Sequence, residues 1–181
     1  FWRGVLHEFL EIPASASRGY VEGEYHIVSR RKGNRSQDEA KYFKDAKVLE
    51  GAIQKGENAD LLPRYTFYCA RSYRDADLPR EALPWFEKRL AMTNGWSEEA
   101  YCSALDAARI YEEFGDLAKA KACWEQATRI NPNRAEAWHQ LARVYRQADL
   151  PHQAFAMAYM AKDLKPQADY LFVWQNSYDY W

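Results

Sequence analysis

The 181-residue chain has little of what marks several function classes. Net charge is almost absent: 25 Lys and Arg stand against 26 Asp and Glu. That balance argues against a general nucleic-acid binder or a polybasic membrane-surface protein. No apolar run approaches the ~18 residues of a membrane span, and mean hydropathy is −0.66. A charged-then-apolar signal pattern is missing from the opening residues. Cysteine is scarce. Cys69, Cys102 and Cys123 lie far apart without a CxxC pair, which reads as reduced thiols in helix cores and a cytoplasmic setting. Gly-rich phosphate loops, zinc spacings and Ser/His/Asp arrangements are also missing. What the chain does have is aromatic mass, at 15% with seven Trp. Such content suits large interlocking side chains, as in stacked helices. The chain opens on Phe1-Trp2-Arg3-Gly4 without a start signal, so it is expected to be part of a longer protein.

Internal repetition carries the fold. Tyr73-Arg74-Asp75-Ala76-Asp77-Leu78-Pro79 recurs 72 residues later as Tyr145-Arg146-Gln147-Ala148-Asp149-Leu150-Pro151, and Tyr111 to Leu117 forms a related unit between them. Tyr111 and Tyr145 are 34 residues apart. In units 101–134 and 135–168 small Ala residues fall where two helices cross, beside Tyr and Trp that fill the groove: Ala108, Tyr111, Ala120 and Trp124, then Trp138, Ala142, Tyr145 and Ala154. Residues 63–96 give a weaker unit with Ala70, Tyr73, Ala82 and Phe86, and Arg89 where a small residue is usual. This period and pattern resemble the tetratricopeptide family of helix–turn–helix repeats. The expected fold is therefore mainly α, a helical solenoid over 36–181. Ser36-Gln37-Asp38-Glu39 has the form of a capping box. It opens a capping helix over 37–55, whose Tyr42, Ala46, Leu49 and Ile53 share one face. Pro84 predicts a kink or a late start in its helix. Residues 169–181 read as the opening helix of a partial further unit, packed near Phe155 and Tyr159 and leaving an apolar face for self-association.

Residues 1–35 differ. Tyr20 to Val28 alternates partly and predicts one or two short strands; residues 1–12 read as strand then short helix, and Arg30 to Arg35 as a basic loop. Several ordered stretches resemble bacterial family 2 glycosyltransferases that carry a helical-repeat tail. They are Trp2-x-Gly4-Val5-Leu6-His7-Glu8-x-Leu10-Glu11, Arg35 to Asp38, Lys41-Tyr42-x-x-Asp45-Ala46, Arg64-Tyr65 to Asp75, Trp96-x-Glu98-Glu99 and Arg134-Ala135-Glu136. The resemblance implies that residues 1–35 end a catalytic domain of GT-A fold, and that the parent enzyme uses Mn²⁺ or Mg²⁺ with a nucleotide-sugar. This chain alone is then expected to hold no cofactor and to be inactive. The resemblance also makes His7 a candidate metal ligand, and Glu8 either a carboxylate supporting that ligand or one facing the acceptor. The bare sequence instead favours a hydrogen-bonded His7 in a strand-to-helix corner and an ordinary early-helix Glu8. Imidazole serves such ions only alongside oxygen ligands. Asp75-Ala76-Asp77 has the letters of the family's metal motif but falls in an inter-helix turn.

Register within the repeats gives a second site. Equivalent positions on the first helix of each unit are Phe67, Leu105 and His139; then Arg71, Arg109 and Arg143; then Arg74, Glu112 and Arg146. In such repeats these positions line the concave groove. Concentrated arginine in a near-neutral protein suits an acidic protein or peptide ligand, unless the arginines pair with acids of neighbouring helices. Two functions follow. One is the C-terminal part of a family 2 glycosyltransferase whose repeats bind or orient the acceptor or a partner protein. The other is a stand-alone interaction adaptor. Neither involves nucleic acid or a membrane span.

Overall fold

The computed structural model describes residues 1–17, 19, 21–26, 28 and 37–179. Two strands, β1 (Trp2–Arg3) and β2 (Phe9–Leu10), precede seven successive helices: α1 (Lys41–Lys55), α2 (Leu62–Asp75), α3 (Pro79–Leu90), α4 (Ser97–Glu113), α5 (Leu117–Ile130), α6 (Ala135–Gln147) and α7 (Pro151–Ala161). A four-residue helix α8 (Asn176–Asp179) follows. Each helix from α1 to α7 packs mainly on its chain neighbours, and α2, α4 and α6 form the inner layer. This is the expected tetratricopeptide-like solenoid, with three hairpins and α1 covering the first.

The three inter-helix turns share one bonding pattern, which explains the repeated sequence. The residue four after Tyr73, Tyr111 and Tyr145 is left-handed in each: Asp77 (φ 60°), Gly115 (φ 80°) and Asp149 (φ 56°). The next amide then returns to the tyrosine carbonyl, at 3.0, 2.8 and 3.0 Å. Aspartate tolerates this conformation better than most side chains, so glycine is needed in none of the three by necessity. Asp75-Ala76-Asp77 is thus a helix-ending turn, with Asp75 paired to Arg74 at 2.6 Å. Proline at the first turn of α3 and α7 completes the punctuation.

Alanine makes the crossings. Ala70, Ala82, Ala108, Ala120 and Ala127 are fully or nearly fully buried, and Trp124 and Phe86 fill the space beside them. Tyr73 donates to Glu50 of the preceding outer helix at 2.6 Å, and Tyr111 donates to Glu87 in the same way.

Several expectations are corrected. α3 begins at Pro79 and runs through Pro84 without a late start. α1 begins at Lys41 rather than 37. Its Ala40 amide is taken by the Asp38 carboxylate at 3.0 Å, and Ser36 lies outside the described residues, as does the basic segment Arg30 to Arg35. The strands are at 2–3 and 9–10, pairing Trp2 with Leu10 and Arg3 with Phe9. There is no helix in residues 1–12 and no strand among the described residues of 19–28. Tyr73 and Tyr111 are 38 residues apart, four more than Tyr111 and Tyr145, and the extra residues after α3 accommodate Arg89. Its guanidinium, 1% exposed, lies under the Asn94-Gly95-Trp96 loop and donates to the Trp96 carbonyl at 2.8 Å.

Candidate functional site: the inner face and its own occupant

The segment 170–179 does not pack on α7. It turns back and crosses the inner face, and α8 rests on α6. Phe155 and Tyr159, its expected partners, stay 69% and 58% exposed. The physical reason lies in three groups at the base of α4 and α6. Arg134, just before α6, is fully buried and forks to Glu98 (2.5 Å) and Glu136 (2.6 Å); the two acids have 6% and 0% of their side-chain surface exposed. Charges so buried need every hydrogen bond they can make. The tail supplies several. The Leu171 amide donates to Glu98 at 3.1 Å, and its carbonyl accepts from Arg134 at 2.9 Å and from the Cys102 thiol at 3.3 Å. The Trp174 amide and the Tyr178 hydroxyl donate to Glu136 at 3.3 and 2.8 Å. Burial alone would raise the Glu136 carboxyl, but the hydrogen bond and charge of Arg134 hold it below the usual carboxylate range. Burial pushes the Cys102 thiol up to about 12, so it is protonated and able to donate.

Aromatic contacts complete the seat. The Phe172 ring lies 3.6 Å from the Arg71 guanidinium carbon and 6.3 Å from the Phe67 ring. Trp174 stands edge-on to Trp124 at 6.2 Å, with Arg109 over it at 5.2 Å. His139 meets the Ser177 hydroxyl at 3.2 Å.

The structure therefore brings Phe67, Arg71, Arg109 and His139 together around the tail. Arg74, Arg143 and Arg146 lie further along the inner helices. The charge is largely answered in place. Asp106, a buried residue of α4, takes Arg71 at 3.4 Å and Arg74 at 2.6 Å, and Glu112 takes Arg143 at 2.5 Å. Burial raises the Asp106 carboxyl even against the pull of Arg74 and Arg71. Arg109 and Arg146 remain exposed. Sequence reasoning missed Asp106 because its equivalents in the other units are Tyr68 and Gln140. Glu98, Arg134 and Glu136 stood out only as carriers of the resemblance and not as groove residues, because acids and bases at helix starts ordinarily face water.

His7 and Glu8 sit at the opposite end. The His7 ring stacks on Tyr68, with centroids 4.0 Å apart and planes at 14°. Its carbonyl accepts from Arg64 at 2.8 Å, and Glu8 is exposed. Among the described residues no group of three His, Cys, Asp or Glu side chains could hold a metal ion. Among the described residues, His7 and Glu8 therefore lack the further oxygen ligands that the metal implied by the glycosyltransferase resemblance would need.

Comparison with known proteins bears on the repeats. Residues 103–144 match the tetratricopeptide repeat family. A solved structure titled "Crystal structure of MamA" is similar at 13% identity, over 75% of this chain and 94% of that chain, with a TM-score of 0.34. A comparison with curated proteins gives no match. Among the described residues no helix is long and apolar enough to cross a membrane.

Proposed function

We propose that this chain is a polypeptide-binding repeat module, the C-terminal part of a family 2 glycosyltransferase whose repeats hold or orient the acceptor. The observation that carries the binding role is the inner face itself. Glu98, Arg134, Cys102 and Glu136 grip a non-helical stretch, residues 171–174, through its backbone amides and carbonyl. Backbone-directed contacts with side-chain seats beside them are how grooves recognise extended peptides. The internal pairing of Arg71, Arg74 and Arg143 favours such a ligand over a purely acidic one.

The link to a transferase rests on the sequence resemblance, and residues 1–12 bear on where such a domain would sit. Arg3 bonds Asp60 at 2.9 Å, the Val5 amide bonds the Tyr65 hydroxyl at 3.2 Å, and Leu6 is buried. A catalytic domain ending there would abut the first repeat firmly, at a fixed place relative to the groove. Mn²⁺ or Mg²⁺ and the nucleotide-sugar would belong to that domain. The experiment uses the parent enzyme. Arg109→Glu on the inner face should lower transfer to a polypeptide acceptor at least tenfold and leave nucleotide-sugar hydrolysis unchanged. Equal transfer by variant and wild type would defeat the acceptor role.

A further inference from the structure

We propose that segment 170–178 is a replaceable occupant of the inner groove, and that the ligand taking its place is a peptide with two aromatic residues separated by one. The inference rests on the peptide-binding reading above and names the ligand class.

Three observations lead there. First, both backbone groups of Leu171 are held by side chains, its amide by Glu98 and its carbonyl by Arg134 and Cys102. Such a clamp reads main chain and accepts any residue at that position. Selectivity falls to the two aromatic seats that follow, one formed by Phe67 and Arg71 and the other by Trp124 and Arg109. Arginine over an aromatic face and an edge-on indole pair both favour aromatic occupants over aliphatic ones.

Second, the internal occupant fits imperfectly. Phe172 has φ of 49°, a left-handed conformation unfavourable for a phenylalanine, and the residue stays 41% exposed. Strain of this kind persists where surroundings over-determine it, and it clusters at clamps and switches. A peptide free of the tether can seat its aromatic residues without that backbone angle.

Third, the tail can leave alone. It follows a stretch, residues 162–170, that is exposed except for Leu164 and Tyr170. None of the α2 to α7 hairpins is threaded through it. Beside the tail the inner face stays open, with a cavity of about 480 Å³ bordered by Arg109, His139, Gln140 and Trp174. A tether this short gives the internal segment a millimolar-range effective concentration. The groove is then closed to weak ligands and opens to strong ones.

The test uses the full chain and a labelled synthetic peptide with the sequence of residues 168–179, read by fluorescence anisotropy. Removing both internal anchors (Phe172→Ala with Trp174→Ala) should let the peptide bind at least tenfold more tightly than to wild type. Replacing the same two aromatics in the peptide by Ala should lose at least tenfold on the double variant. Equal affinity for variant and wild type, or equal binding of the two peptides, overturns the proposal. Should the double variant lose its helical far-UV signal, amide exchange in the wild-type chain serves instead. Millimolar peptide should speed exchange at Leu171 and Trp174 several-fold; unchanged exchange overturns the idea. If Arg109→Glu still abolishes acceptor transfer while the aromatic peptide never binds, this ligand class is wrong and the groove's general role survives.

Discussion

Replacing Arg134 by Ala is the sharpest test of how the inner face is held. In the wild-type chain this guanidinium, with no exposed side-chain surface, answers two buried carboxylates and the Leu171 carbonyl. Truncation leaves Glu98 and Glu136 as like charges in one dry site. Neutral donors remain: Asn131 to Glu98 at 2.9 Å, and Tyr101 and Tyr178 to Glu136 at 3.2 and 2.8 Å. Breaking a buried pair by removing one partner costs about 3–5 kcal/mol. At roughly 2–4 °C per kcal/mol for a chain of this size, the melting temperature should fall by roughly 6–20 °C. A pH dependence that this site does not give the wild type should also appear between pH 7 and 5. With Arg134 present, the Glu136 pKa is below its unfolded value. Its contribution is present above that unfolded value and is lost as pH falls below it. Without Arg134, desolvation and the neighbouring acid push a carboxyl above its unfolded value. The folded state then takes up a proton more readily, and stability rises as pH falls from 7 towards 5. Thermal unfolding followed by circular dichroism at pH 7, 6 and 5 reads both effects. A melting temperature within 2 °C of wild type, with an unchanged pH slope, would refute the reasoning.

Two further outcomes follow from single sites. Gly95 has φ of 88°, and a Cβ there would lie 2.6 Å from the Pro63 Cβ and 3.0 Å from Arg89 Nη2; Gly95→Ala should cost about 1–3 kcal/mol by overpacking, measured by urea unfolding. His139 has its pKa lowered by burial and then by Arg143 and Arg146, so its contribution is present above its unfolded value near 6.5 and is lost as pH falls through it. His139→Gln should therefore flatten the fall in melting temperature between pH 7 and 5 relative to wild type.

The repeats were legible because their determinants recur. Alanine at each crossing and a left-handed residue four after each tyrosine return at the unit period, and both are local requirements of packing and of the turn. The first hairpin, β1 with β2, was not legible. Two-residue strands around His7 (φ 52°) carry no alternation long enough to read. The aromatic tail was visible as too apolar for a solvated end, but its destination was not. Its partners Glu98 and Arg134 stand 73 and 37 residues from Leu171, and nothing periodic connects them. The arginine positions were legible by register, whereas Asp106 occurs in one unit alone. Register reveals what is repeated and is blind to a compensating charge that appears once.

That blindness bears on the glycosyltransferase resemblance. Many of the residues that carry it meet one another in the fold. Arg64 reaches Glu99 at 3.4 Å, beside Arg89, and Arg134 reaches Glu98 and Glu136. Tyr65 holds Val5, and Arg64 holds the His7 carbonyl. Trp96-x-Glu98-Glu99 and Arg134-Ala135-Glu136 thus form a buried ionic seam along the starts of α4 and α6, and Arg64 ties that seam to residues 1–12. Buried ion pairs add little net stability against apolar replacements, and their use lies more in fixing one arrangement. A sequence pattern held by such a seam specifies how the N-terminal segment docks on the repeats and how the inner face grips a backbone. It says nothing by itself about sugar chemistry. The grip on a backbone, by contrast, rests on residues in place here: Glu98, Arg134 and Glu136 hold the amides and carbonyl of the 170–178 segment.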